Sequence, residues 1–146
     1  MNEPEPLTLK QPIRLVGLSS AIEKANAPQL IGELWQRAAA AGLLRPDQPA
    51  YAAYYDYQDR LANRYRVLVG VESESEPGAG QKALLVPVAA YASFEKEGPA
   101  IDAAQSLWRH VWTSWGQRGA RRFDIDLERH EGTPAHARVT LLIGVA

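Results

Sequence analysis

Chemistry in this chain has to come from carboxylates, imidazoles and aromatic rings, because the 146 residues include no cysteine. Without thiols there is no disulfide, no thiolate nucleophile and no Cys-ligated zinc. Of the three histidines, His110 falls on the polar side of a helical stretch, while His130 and His136 flank a turn. Two imidazoles in a polar loop with no cysteine nearby match no metal-ligand spacing, so solvated loop histidines are expected. There is no G-x-S-x-G, no H-E-x-x-H and no glycine-rich phosphate loop. Gly78-Ala79-Gly80 has no helix N-terminus after it to stabilise a phosphate. The expectation is therefore no catalytic set, no metal and no cofactor.

Aromatic side chains are the richer resource. Trp108, Trp112 and Trp115 share one face at helical spacing, with Trp35 in the matching region of an earlier helix. Such a stripe ordinarily packs a core, yet each buried indole N–H needs an acceptor, so the cluster points to a partly solvated cavity. Tyr51, Tyr54, Tyr55 and Tyr57 crowd one strand on both faces, and parity favours the face of Tyr51, Tyr55 and Tyr57 for a groove. Asp124 is the acid of interest. Parity sets Asp124, Asp126 and Glu128 opposite Phe123, Ile125 and Leu127. That acidic face is either simply wet or holds a carboxylate among rings. In the second case it would favour a lipophilic cation through charge pairing and cation–π contact, with the carboxyl pKa raised when the site is empty.

The elements that must position these groups come in two similar runs. Leu68-Val69-Gly70-Val71 recurs as Leu142-Ile143-Gly144-Val145, and Leu34-Trp35 as Leu107-Trp108. In the first run, Ile13–Leu18 reads as a strand, and Asn26 reads as an N-cap with Pro28 in the first turn of a helix to about Ala41. Tyr51–Tyr57 and Tyr65–Val71 then pair as a hairpin. Residues 72–80, Glu-Ser-Glu-Ser-Glu-Pro-Gly-Ala-Gly, form a polar linker. In the second run, Gln81–Val86 and Ala89–Glu95 are strands, and Gly98-Pro99 opens a helix with the stripe Ala104, Leu107, Trp108, Val111, Trp112 and Trp115. Strands at Phe123–Glu128 and Val139–Val145 complete it. The expected fold is α+β: one domain over 1–146, with strand-helix-strand-strand repeats at about 7–71 and 81–146. Its antiparallel sheet carries two long helices, and a central groove at the seam is the natural ligand site.

Composition limits the partners. Sixteen Lys+Arg against 17 Asp+Glu leave a net charge of −1, so no overall basic field exists to hold nucleic acid directly. No apolar run is long enough to span a membrane, and Met1-Asn2-Glu3-Pro4-Glu5-Pro6 is acidic where a signal peptide would be basic, so a cytoplasmic location is expected.

Tyr54-Tyr55-Asp56 at a strand end, Tyr91–Pro99 running into a Trp-bearing helix, and Arg122-Phe123-Asp124-Ile125 together resemble one family. It is the effector-binding domain of AraC-type and multidrug-sensing MerR-type regulators, also called the gyrase-inhibitor-like domain. The resemblance runs from about Leu7 to Ala146 and implies a two-repeat α+β fold with a central pocket for small, often cationic and aromatic, molecules. In that family an acid, usually Glu, follows an aromatic on the strand after the second helix, and Phe123-Asp124 looks like that position. Asp is one methylene shorter, and Asp126 stands where the family often has Tyr. The regulators carry a helix-turn-helix region for which 146 residues leave no room, so a stand-alone form is expected.

The first reading is thus a module that sequesters or senses a hydrophobic, cationic small molecule. Asp124 would be its counter-charge, and Trp108, Trp112, Tyr55, Tyr91, Trp35, Tyr54 and Trp115 its aromatic candidates. A hydrolase of a reactive electrophile using the same pocket is the alternative enzyme reading. A gyrase-inhibitor-like interaction module is the third, acting through Arg118-Gly-Ala-Arg121-Arg122 or Glu72–Glu76. The sequence leaves a protein partner and a homodimer open.

Overall fold

The computed structural model describes residues 4–146, apart from the side chain of Arg118. Met1 to Glu3, part of the acidic leader noted above, and the Arg118 side chain of the basic cluster lie outside the described residues. The first half of the chain runs β1 (Glu5–Thr8), β2 (Ile13–Glu23), α1 (Ala27–Ala40), β3 (Ala50–Tyr55) and β4 (Arg64–Glu72). The second runs β5 (Lys82–Val86), β6 (Ala90–Gly98), α2 (Ala100–Thr113), β7 (Asp126–Gly132) and β8 (Ala137–Gly144). All eight strands form one antiparallel sheet in the order β1-β6-β8-β7-β3-β4-β2-β5. That order is unchanged when β1–β4 are exchanged with β5–β8. The first strand of each half pairs with the second strand of the other, which ties the halves at both edges.

Each helix covers one wing of the sheet. Helix α1 packs on β2 and β4, and α2 on β6 and β8. Leu34 and Ala38 are the buried side chains of α1, one turn apart. On α2 the buried stripe is Ala103, Leu107 and Val111, packed with Phe94, Val139, Leu141 and Ile143. Burying a Leu, Ile or Phe side chain stabilises by about 1.5–3 kcal/mol, so these clusters anchor the helices. The opposite sheet face is also buried. Leu7 and Leu9 near one edge and Leu84 and Val86 at the other join a single cluster with Leu15, Leu127 and Leu142, so the sheet curves away from the helices.

One pairing in the sheet depends on glycine. Gly17 and Gly70 face each other across β2 and β4, and a Cβ on Gly70 would lie 2.0 Å from the Val16 carbonyl oxygen. The backbones could not approach as closely with any side chain at either position.

Three local expectations are corrected. Strand β1 was not foreseen, because Glu5-Pro6-Leu7-Thr8 lacks a strand's pattern; Pro6 is tolerated there because β1 is an edge. Asn26 makes no side-chain cap, since the chain enters α1 through a 3-10 turn at Lys24–Asn26. Helix α2 ends at Thr113, leaving Trp115 beyond it.

Candidate ligand pocket

Because each helix covers a wing, the central pair β3–β7 is left as the floor of a cavity of about 930 Å³ between α1 and α2. On β7, Asp126, Glu128 and His130 point to the helix side, opposite Tyr54, Ala52 and Ala50 of β3 in register. Ala52 and Ala50 are too short to fill the space above the strands, which leaves room over Glu128. Two adjacent stripes on α2 divide the work. Ala103, Leu107 and Val111 face the sheet, while Ala104, Trp108 and Trp112, each one residue on, face the cavity. Ile31 and Trp35 of α1 form the other wall, with Tyr57 and Tyr65 lining it between the helices.

Glu128 is the centre of the polar network, and it is 3% exposed. The Trp108 indole N–H donates to its Oε2 at 2.6 Å, and the Tyr54 hydroxyl donates to the same oxygen. His130 Nε2 lies 2.8 Å from Oε1, and the imidazole packs against Trp35 with ring centroids 4.6 Å apart. Burial pushes the Glu128 carboxyl up, but the His130 hydrogen bond and charge, joined by Tyr54 and Trp108, outweigh it and hold the group below its ordinary value. The Tyr54 phenol moves the other way, raised well above its usual range by burial and then by the Glu128 charge. It is a hydrogen-bond donor and not a phenolate.

A second buried carboxylate lies one register step along the strand. Asp126 accepts from Arg121 Nη2 at 2.9 Å, from the Tyr57 hydroxyl at 2.6 Å and from the Gly144 N–H at 2.8 Å. Burial raises its pKa, and the Arg121 charge and these donors lower it again without restoring the ordinary value. The Arg121 guanidinium lies 4.0 Å from the Phe123 ring centroid and 4.8 Å from that of Trp112.

Four of the sequence candidates meet in this cavity: Trp35, Tyr54, Trp108 and Trp112. The other four lie elsewhere. Tyr55 is on the sheet face away from the helices, its hydroxyl 2.7 Å from Ser19 Oγ. Tyr91 is buried in the same cluster. Trp115 belongs to the α2 core, edge-on to Phe94. Asp124 stands in the loop before β7 with its side chain 58% exposed, 3.5 Å from Arg122. Parity failed at both places for one reason. Phe123 has φ +55° and Asp56 φ +53°, and each turns the chain over. Counting from Phe123 therefore misplaces Asp124, whereas Tyr57 is turned into the cavity away from Tyr51 and Tyr55. The acidic face is not wet, since Asp126 is 0% exposed. Nor is His130 a solvated loop residue, although His136 is exposed in the turn. No group of three potential metal ligands occurs among the described residues.

Glu128, His130, Tyr57, Tyr65 and Arg121 were not among the eight ligand candidates: Glu128 entered only as part of the acidic face, His130 as a loop histidine, Tyr57 on the face of Tyr51 and Tyr55, Tyr65 as a hairpin residue and Arg121 in the basic cluster. The available signal was the alternation Asp126, Glu128, His130 within one strand, which set all three on one face.

Fold and cavity together define a small-molecule-binding α+β domain. Residues 4–143 match the GyrI-like small molecule binding domain, and the chain belongs to that GyrI-like family. The family is one of small-molecule-binding domains. The fold is shared with an integron cassette protein from the mobile metagenome of Vibrio cholerae (17% identity, 99% of this chain and 97% of that one, TM-score 0.76). It is shared equally with SAV2435, solved bound to tetraphenylphosphonium (19% identity, 99% and 94%, TM-score 0.80). A Staphylococcus aureus MU50 protein assigned to transcription regulation is similar as well (16% identity, 99% and 99%, TM-score 0.74). No curated protein gives a significant match to the sequence. No helix among the described residues is long and apolar enough to cross a membrane.

Proposed function

We propose that the chain is one ligand-binding domain whose cavity captures an aromatic, cationic small molecule for sensing or sequestration. Glu128 would serve as the counter-charge, and Trp35, Tyr54, Trp108 and Trp112 as the ring walls. The observation that carries this reading is a buried carboxylate, kept ionised by its own hydrogen bonds, on the floor of a cavity walled by indoles. Glu128 is the one acid among the described residues lining the cavity, and an aromatic cation would answer both its charge and the rings. The cation bound to SAV2435, a protein of the same fold, supports the same choice. Asp124 has no part in it.

Tetraphenylphosphonium and the neutral triphenylphosphine oxide, titrated against intrinsic Trp fluorescence, test the proposal. Saturable quenching by the cation is expected, weakened by about tenfold or more in Glu128→Gln, a loss of about 1.4 kcal/mol. Equal affinity of both proteins for the cation, or equal affinity of the wild type for the cation and the neutral oxide, would overturn it.

A further inference from the structure

We infer that the cavity is built for an amphoteric aromatic ligand, with a cationic group at Glu128 and a carboxylate or comparable anionic acceptor at Arg121. This inference rests on the binding reading above and names the ligand class of the same site.

Arg121 is the observation that a simple cation pocket leaves unexplained. Its side chain lines the cavity yet is only 2% exposed, and its Nε and Nη1 atoms have no hydrogen-bond partner among the described residues. A guanidinium cannot shed its proton to escape this, and buried charged donors are rarely left unmatched without a use. Asp126 satisfies only Nη2, and that carboxylate is shared with the Tyr57 hydroxyl and the Gly144 N–H.

Arg121 also takes the place a ligand cation would otherwise occupy. Its guanidinium lies within 4.0–5.9 Å of the ring centroids of Phe123, Trp112, Trp108 and Tyr57. These are cation–π distances, so the rings at that end of the cavity already have a resident cation. Among the described lining residues Glu128 is the one acid, against Arg45, Arg109 and Arg121. Trp108 fixes the spacing of the two poles. Its indole N–H is on Glu128, and its ring centroid is 5.8 Å from the Arg121 guanidinium. The poles therefore flank one indole, a separation that a single fused-ring or biaryl ligand can span.

A rhodamine with its free benzoate and the methyl ester of the same dye share the xanthylium cation and differ only in the anionic group. Fluorescence anisotropy titrations near neutral pH compare them. The free acid is expected to bind the wild type about tenfold more tightly, as charge-assisted hydrogen bonds permit. That preference should vanish in the double variant Arg121→Met/Asp126→Asn, which removes the buried pair without stranding either charge. It should persist in Arg45→Gln/Arg109→Gln, whose exposed side chains can be changed without touching the core. Equal binding of acid and ester by the wild type overturns the inference, and so does loss of the preference in the Arg45/Arg109 variant. Ester binding that depends on Glu128 but shows no gain for the acid would refute the anionic pole and leave the cation reading standing. If neither dye nor tetraphenylphosphonium binds, both fail.

Discussion

Tyr54→Phe isolates one hydrogen bond in the Glu128 network while keeping the ring. The hydroxyl donates to a carboxylate that is 3% exposed, and the shared oxygen retains the Trp108 indole after the change. Hydrogen bonds to charged groups contribute about 1.5–3 kcal/mol, so the variant should lose that much stability near neutral pH. The same bond helps depress the Glu128 pKa, so that pKa should rise in the variant. The sign with pH follows. A depressed carboxyl contributes stability that is fully present above its unfolded value of about 4.3 and is lost as pH falls through the lower folded value. The gap between wild type and Tyr54→Phe should therefore be full near neutrality and shrink in acid. Urea denaturation across this range measures it. A gap below about 0.5 kcal/mol near neutrality, or one that does not narrow in acid, would refute the claim that an ionised Glu128 holds this network together.

Gly70→Ala should destabilise strongly, by about 3 kcal/mol or more, because its Cβ would meet the Val16 carbonyl at 2.0 Å; Gly32→Ala, with open space on α1, should gain about 0.5–1 kcal/mol, and thermal melts of both decide it. Asp126 should show the opposite pH sign to Glu128. Its carboxyl is raised in the fold, so its contribution is greatest below its unfolded value of about 3.9 and is lost as pH rises through the folded value. The stability gap to Asp126→Asn should accordingly narrow with rising pH, while the gap to Glu128→Gln widens. Asp124→Asn breaks only an exposed pair, so it should change stability by less than about 0.5 kcal/mol and leave tetraphenylphosphonium quenching unaltered.

The sequence by itself determined the α+β class, the recurrence of its elements and the inventory of rings. Those signals are local. Apolar periodicity sets Leu34 and Ala38, or Leu107 and Val111, on one side of a helix whatever the rest of the chain does. The repeated Leu-x-Gly-Val runs give away β4 and β8 in the same way, and helical spacing sets Trp108 and Trp112 on one face, without saying which indoles of the stripe reach a cavity. Tertiary structure decided which carboxylate lines the cavity. Register across β3 and β7 sets Glu128 over Ala52, with Trp108 and Tyr54 donating to one oxygen from two other elements. Single residues with positive φ, Phe123 and Asp56, cancel strand parity without any mark in composition, so Asp124 is turned out and Tyr57 in. Arg121 follows the same logic. As a letter it belongs to a basic surface run, and only the fold buries it between Phe123 and Trp112, because a side chain's surroundings are set by segments distant in sequence.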